Sequence, residues 1–229
     1  MDNNQKTIDN SIRATFHQSF SVCYLLLFGT AAITFIEALR TDNVHARHIL
    51  NLETAVSLTA GLVYGWFRVM AENPNFDLKQ ITTLRYIDWA ITTPLLLLVL
   101  LLFLTFHSTV PLSMSLYLLI VGLNAIMLWF GYMGEKGMMD KRNAQTGGFA
   151  AFAAMLFVIY YYFIYGHSHS LLYPPRILFI IFAIVWCMYG VAAELDERSK
   201  NLMYNALDII AKVFFGLGLW VYYSGVAVL

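Results

Sequence analysis

The sequence predicts an all-α protein, a bacteriorhodopsin-like bundle of seven transmembrane helices, on three observations. Of its 229 residues, 59% are hydrophobic and only 12% charged. That is about half the charged share of a soluble domain, more apolar side chain than one water-facing core absorbs. The apolar residues fall into seven runs of the roughly 20 residues that cross a bilayer at about 1.5 Å per residue. The breaks between runs are short and polar or proline-containing, which leaves no room for a soluble domain and makes residues 1–229 a single domain.

Segment A covers about 18–39 and ends near Glu37, an interfacial carboxylate in "FIEAL". Segment B, 47–71, carries Glu53 in the apolar setting "ILNLETAVSL" and Tyr64 in "LVYGWF". Segment C, 80–106, contains "RYIDWAITTPLLLLVLLL", in which Arg85, Asp88, Trp89, Thr92, Leu96 and Val99 fall on one helical stripe. The stripe presents a cation, a carboxylate, a flat ring and a hydroxyl, then turns apolar. Thr92 lies one turn after Asp88, placed to hydrogen-bond its carboxylate, and Pro94 is a kink of the kind membrane bundles tolerate. Segments D (112–134), E (146–166) and F (174–195) are apolar and aromatic.

Segment G, 201–226, holds "ALDIIAKVFFGLGLW". Asp208 and Lys212 are four apart and share one face. Ionisable residues at membrane depth are costly and usually functional. One reading is a buried ion pair that pins the helix. The other is covalent chemistry: a buried amine forms an imine with an aldehyde, and a protonated imine needs a counterion one turn away.

Fourteen basic and fourteen acidic residues give no net charge, so nothing points to nucleic acid. Cys23 and Cys187 lie inside apolar runs and read as small core residues, not as a disulfide or metal pair. The polar start "MDNNQKTIDN" lacks a signal-peptide pattern. The A–B, C–D and E–F breaks carry Arg40, Arg47 and Arg176. The opposite side carries Lys6, Arg13, Lys79, Lys136, Lys141, Arg142, Arg198 and Lys200. Taken alone, that count puts the N-terminus inside.

The motifs "RYIDWAITTPLLLL" and "LDIIAKVFFG", with "WCMYG" on segment F, "GLNAIMLWFG" on D and "AAML" on E, resemble the microbial (type 1) rhodopsins over essentially the full length. The resemblance implies all-trans retinal held on Lys212 as a protonated Schiff base. It implies Asp88 and Asp208 as the counterion pair, with Asp88 the proton acceptor and Arg85 on its outward side. Tyr64 and Tyr189 would hydrogen-bond Asp208. Trp89 and Trp186 would sandwich the polyene, and Leu96, Thr93, Met127, Gly131 and Met155 would line the pocket. Ordinary core packing is the competing account of these aromatic and apolar residues. The resemblance also implies a multi-pass protein of the lipid bilayer that moves protons or cations and is not an enzyme. A trimeric or pentameric homo-oligomer is implied too, with the N-terminus outside; on orientation the resemblance is preferred to the charge count.

Against the family pattern, Val99 stands where pumps carry a proton-donating carboxylate, 11 residues inward of Asp88, or about 16 Å of helix. Glu53, eleven residues before Tyr64, is a substitute donor, since burial would keep it protonated; the alternative is an interfacial, solvated Glu. With Glu37 and Asn51 it would instead line a hydrophilic path. His45 and His48 read as solvated loop groups. Glu194, Asp196 and Glu197 are either a proton-release group or a solvated loop, and Asn201 and Asn205 either line an exit path or cap the loop. Asn124 replaces a common carboxylate, and Gly190 a proline. Gly147 and Gly148 replace bulky aromatics, which either opens a window for a carotenoid antenna or reflects close packing of segment E. Short loops, Glu53 and "KNLMYNALDIIAKVFFG" also resemble the rhodopsins of giant algal viruses. The first expectation is a light-driven outward proton pump, with a light-gated cation channel and a sensory photoreceptor as the other readings.

Overall fold

A computed structural model describes residues 3–108, 110–165 and 173–225, and among them there is no strand. Helices α1 (Asn3–Arg40), α2 (Val44–Glu72), α3 (Leu78–His107), α4 (Met114–Glu135), α5 (Lys141–Phe163) and α6 (Tyr173–Ala192) are followed by α7 (Glu197–Asp208), a π-helical stretch (Ile209–Phe214) and α8 (Phe215–Ser224). The last three form one continuous span, Glu197–Ser224, the seventh. The expected segment ends at 166 and 226, and most of the E–F break, lie outside the described residues.

Helices α2, α5 and α7 begin a few residues before their apolar runs and α4 two residues inside its run, and in each a side-chain oxygen caps the first turn. Asn43 accepts from the N–H groups of His45 and Ala46, Ser113 from Leu116, Asp140 from Arg142 and Asn143, and Asp196 from Arg198 and Ser199. Each cap satisfies donors that the first helical turn leaves open. The hydrogen bonds from Ser199 hold the exposed Asp196 carboxyl below the usual carboxylate range, so this cap stays ionised until acid protonates it.

Among the described residues, six spans are long and apolar enough to cross a membrane. The exception is α2, diluted by His45, Arg47, His48, Glu53, Arg68 and Glu72. Outward-facing Leu25, Leu39, Leu62, Leu118, Phe157, Ile184 and Phe214 are exposed, the arrangement a lipid solvent favours.

The chain forms two compact units. One comprises Met1–Thr82 with Glu194–Leu229; the other comprises Thr83–Ala193. In the first, α1 packs along α2, and the seventh span packs on both. Gly61 permits the close approach: a methyl group there would meet the Phe28 ring at 2.8 Å. Phe16, Phe20, Tyr64 and Phe67 form a fully buried aromatic core, with neighbouring ring centroids 5.6–6.1 Å apart, within the favourable range. His17 Nε2 lies 3.3 Å from Glu72 Oε1 and ties the polar beginning of α1 to the end of α2. In the second unit, Leu97, Leu100, Leu101, Ile120, Phe152, Met155 and Ile159 form the core between α3, α4 and α5. Helix α3 continues past Pro94, and Tyr117 on α4 donates its hydroxyl to the Pro94 carbonyl at 3.2 Å.

Candidate functional site

In the first unit the seventh span presents Asp208 and Lys212 to the interior, each 1% exposed. Lys212 Nζ lies 3.4 Å from Asp208 Oδ1, and Tyr64 donates its hydroxyl to Asp208 Oδ2 at 2.7 Å. Asn205 Oδ1 is 3.2 Å from the same hydroxyl, and its amide donates to Ser19 Oγ at 2.8 Å. The lysine sits inside the π-helical stretch, a local widening that is frequent at functional positions.

Toward the start of the span, Lys200 is buried and its ammonium lies 3.0 Å from Glu197 Oε1. Thr82 donates to Glu197 Oε2 at 2.9 Å and accepts from the Asn201 amide at 2.8 Å. Glu194 and Asp196 are exposed. Of the three acids, one is an exposed loop acid, one a helix cap and one an ion-pair partner. Asn201 and Asn205 are buried and bonded, not loop caps.

Toward the other end, Glu53 is fully buried, which excludes the interfacial, solvated reading. Neither of its carboxyl oxygens has a hydrogen-bond partner, and nor does the hydroxyl of Ser57 one turn later. Gly216 makes room for this carboxyl: a methyl group there would lie 3.0 Å from Glu53 Oε2 and 3.1 Å from Thr30 Cγ2. The hydrophilic path expected from Glu37, Asn51 and Glu53 does not form as drawn. Asn51 turns outward because it lies two positions off the buried face of α2. Glu37, at the end of α1, pairs with Arg40 at 4.0 Å. His48 is exposed as expected, whereas His45 is half-buried, edge-on to Tyr223.

In the second unit Arg85, Asp88, Thr92 and Leu96 are all buried along α3. Thr92 donates to the Asp88 main-chain carbonyl at 2.9 Å, not to the carboxylate as expected. A threonine hydroxyl in a helix reaches back naturally to the carbonyl four residues before it. Thr93 donates to the Trp89 carbonyl at 2.6 Å and accepts from Asn124 at 2.8 Å. Trp89 meets Tyr189 edge-on at 5.5 Å, and Trp186 lies against Phe182 at 4.4 Å. Met155 is fully buried in the core, with Met127 and Trp186 packed around it.

Gly131 faces Tyr86: a methyl group there would come 2.7 Å from the hydroxyl oxygen. Gly190 likewise admits the Phe149 ring, and Gln145 donates to its carbonyl at 2.6 Å within α6. The Phe130 ring fills the space at Gly147, as close packing of the fifth helix requires; Gly148 keeps ordinary van der Waals clearance.

Sequence reasoning gave no role to Ser19, Ser57, Thr82, Tyr86, Gln145 or Gly216. Tyr86 lies inside the quoted motif, and Ser57 lies one turn after Glu53, so spacing alone could have flagged both. Gly216 has no such signal.

A dry amine facing a carboxylate suits an aldehyde that bonds to nitrogen and leaves a positive charge to be balanced. The buried indole of Trp89 and the half-buried phenol of Tyr189 suit a flat polyene. The sequence model of the bacteriorhodopsin-like protein family matches residues 15–225. Green-light absorbing proteorhodopsin from Gamma-proteobacterium EBAC31A08 is 29% identical over 220 residues, covering 88% of this chain and 84% of its own. Opsin-like protein carO of Fusarium fujikuroi is 31% identical over 231 residues, covering 88% and 71%. The crystal structure of viral rhodopsin OLPVRII superposes with a TM-score of 0.86 at 34% identity, over 93% of this chain and 99% of that one. The chain therefore belongs to the bacteriorhodopsin-like family: it is a microbial rhodopsin, a light-driven retinal protein of the membrane.

Proposed function

We propose that this rhodopsin is a light-driven outward proton pump, with all-trans retinal on Lys212, Asp88 as proton acceptor and Glu53 as the group that returns the proton. The observation that carries this reading is the fully buried Glu53 carboxyl, which has no hydrogen-bond partner. A carboxylate without a partner in such surroundings is costly, so the group holds its proton when idle and is poised to give it up. Retinal, when bound, would supply light-driven isomerisation, and the nitrogen of Lys212 would be the atom that loses and regains a proton.

The chain's residues do the rest. Asp208 balances the positive charge at position 212, and Tyr64 fixes the orientation of Asp208. Asp88 takes the proton on the outward side, Arg85 guards that side, and Trp89, Trp186, Tyr189, Leu96, Thr93, Met127 and Met155 pack the chromophore. The N-terminus lies outside, as in the family. Lys200 is buried and neutralised by Glu197, which removes one cation from the loop-charge count that favoured the reverse. The outward-facing Asn51 and the Glu37–Arg40 pair leave the inner half poorly lined for a cation channel.

The deciding experiment is photocurrent against voltage. A pump passes outward current at zero driving force, whereas a current that reverses with the ion gradient would replace this reading with a channel. Glu53→Gln should slow recovery of the visible band after a flash by roughly 100-fold, the lower end for a positioned acid–base group, with azide restoring the rate. Unchanged recovery would remove Glu53 as donor.

A further inference from the structure

The hydroxyl of Ser57 breaks the habit of its neighbours. Thr30, Thr34 and Thr54 each donate to the carbonyl four residues before, at 2.8–2.9 Å. Ser57 is fully buried on the same helix as Thr54, yet its hydroxyl has no partner. It shares the buried face of α2 with Glu53, about 6 Å along the axis, and the Glu53 carboxyl is likewise without a partner. Two buried polar groups left open so close together are rare, and each is costly unless something satisfies it.

Their position is informative. Helix α2 meets the seventh span at Tyr64 with Asp208, at Glu53 with Gly216 and at His45 with Tyr223. Ser57 lies between Glu53 and Tyr64 on α2, and Lys212 lies midway between Asp208 and Gly216 on the seventh span. Ser57 therefore occupies the stretch that separates the Glu53 carboxyl from the Lys212 amine. The wall around the carboxyl is apolar where Thr30 turns its methyl toward Gly216, since its hydroxyl is committed to Leu26.

We propose that Glu53 and Ser57 together bind one internal water molecule, and that this carboxyl–water–hydroxyl group relays the proton toward position 212. Such a site has the polar partners an internal water needs. In the relay, the Glu53 O–H bond breaks as the water gains that proton. The water passes one of its own hydrogens to Ser57 Oγ, and the original Ser57 hydrogen leaves toward the nitrogen at position 212. Glu53 is left as a carboxylate, to be reloaded from the inner aqueous phase. The relay rests on the donor reading of Glu53; the water site itself does not.

Two measurements test this. A high-resolution crystal structure of the dark protein, or of the retinal-free protein, should show one ordered water within hydrogen-bond distance of both side chains. A Ser57 hydroxyl donating to the Glu53 main-chain carbonyl, with no density between the two side chains, would overturn the site. In flash experiments Ser57→Ala should slow recovery of the visible band roughly tenfold, and Ser57→Thr, which keeps the hydroxyl, should restore most of the rate. Ser57→Ala added to Glu53→Gln should slow it no further, because both act on one route. If Glu53→Gln slows recovery while Ser57→Ala does not, the relay is wrong and the donor stands. If neither does, both fail. If Ser57→Ala yields no pigment, Ser57→Cys, near-isosteric but a poor hydrogen-bonding partner, takes its place with the same slowing expected.

Discussion

Replacing Lys212 with alanine leaves a protein on which added all-trans retinal grows no stable visible band. The effect is total because no other amine among the described residues is suitably placed. The only other lysine buried among the described residues, Lys200, is held 3.0 Å from Glu197 in a hydrogen-bonded cluster with Thr82 and Asn201. That lysine stands at the beginning of the seventh span, about three turns before Lys212. The absorption spectrum after reconstitution gives the answer. A lasting visible pigment on Lys212→Ala would show that the attachment lies elsewhere. Thermal unfolding of the retinal-free variant should still be cooperative, at a stability lowered because Asp208 loses its cation, which separates lost chemistry from lost folding.

Asp208→Ala in the retinal-free protein should cost about 3 kcal/mol, because it leaves a buried ammonium without its carboxylate partner. The aspartate is 1% exposed, 3.4 Å from Lys212 Nζ, and accepts the Tyr64 hydroxyl at 2.7 Å. Part of the loss is offset, since that hydroxyl can turn to Asn205 Oδ1, already 3.2 Å away. Removing both charges in Asp208→Ala/Lys212→Met should recover most of the stability, because an apolar pair of similar volume carries no desolvation penalty. Denaturation of the three variants and the parent forms a double-mutant cycle. A single Asp208→Ala as stable as the parent would mean that the pair does not balance its charges in this way.

The seven spans were legible because lipid demands long apolar runs, but their beginnings were not. Asn43, Asp140 and Asp196 start helices ahead of the apolar stretches, Ser113 starts one just inside its stretch, and a hydropathy reading cannot see a cap. The first helix starts fifteen residues before the expected 18, because its polar opening continues the helix and His17 on it pairs with Glu72. The Asp208–Lys212 pairing was readable from four-residue spacing, a local property. The surroundings of Glu53 were not, because Gly216 and Thr30 reach it from distant points in the chain. Asn51, two residues before Glu53, turned out to face outward, a matter of rotation about the helix that composition does not encode.

The six-residue π-helical stretch has a consequence for alignment within the seventh span. In a regular helix, eight residues overshoot two full rotations by about 80°. Asp208 and Gly216 are eight apart, yet both look toward α2. The wider turn takes up the overshoot. Deleting one residue between 209 and 214 would let a regular helix form and still leave the glycine within about 20° of its present direction, because seven regular steps from Asp208 fall just short of two rotations. Straightening the stretch without a deletion would instead turn the bare glycine away from the carboxyl of Glu53 by about 80°.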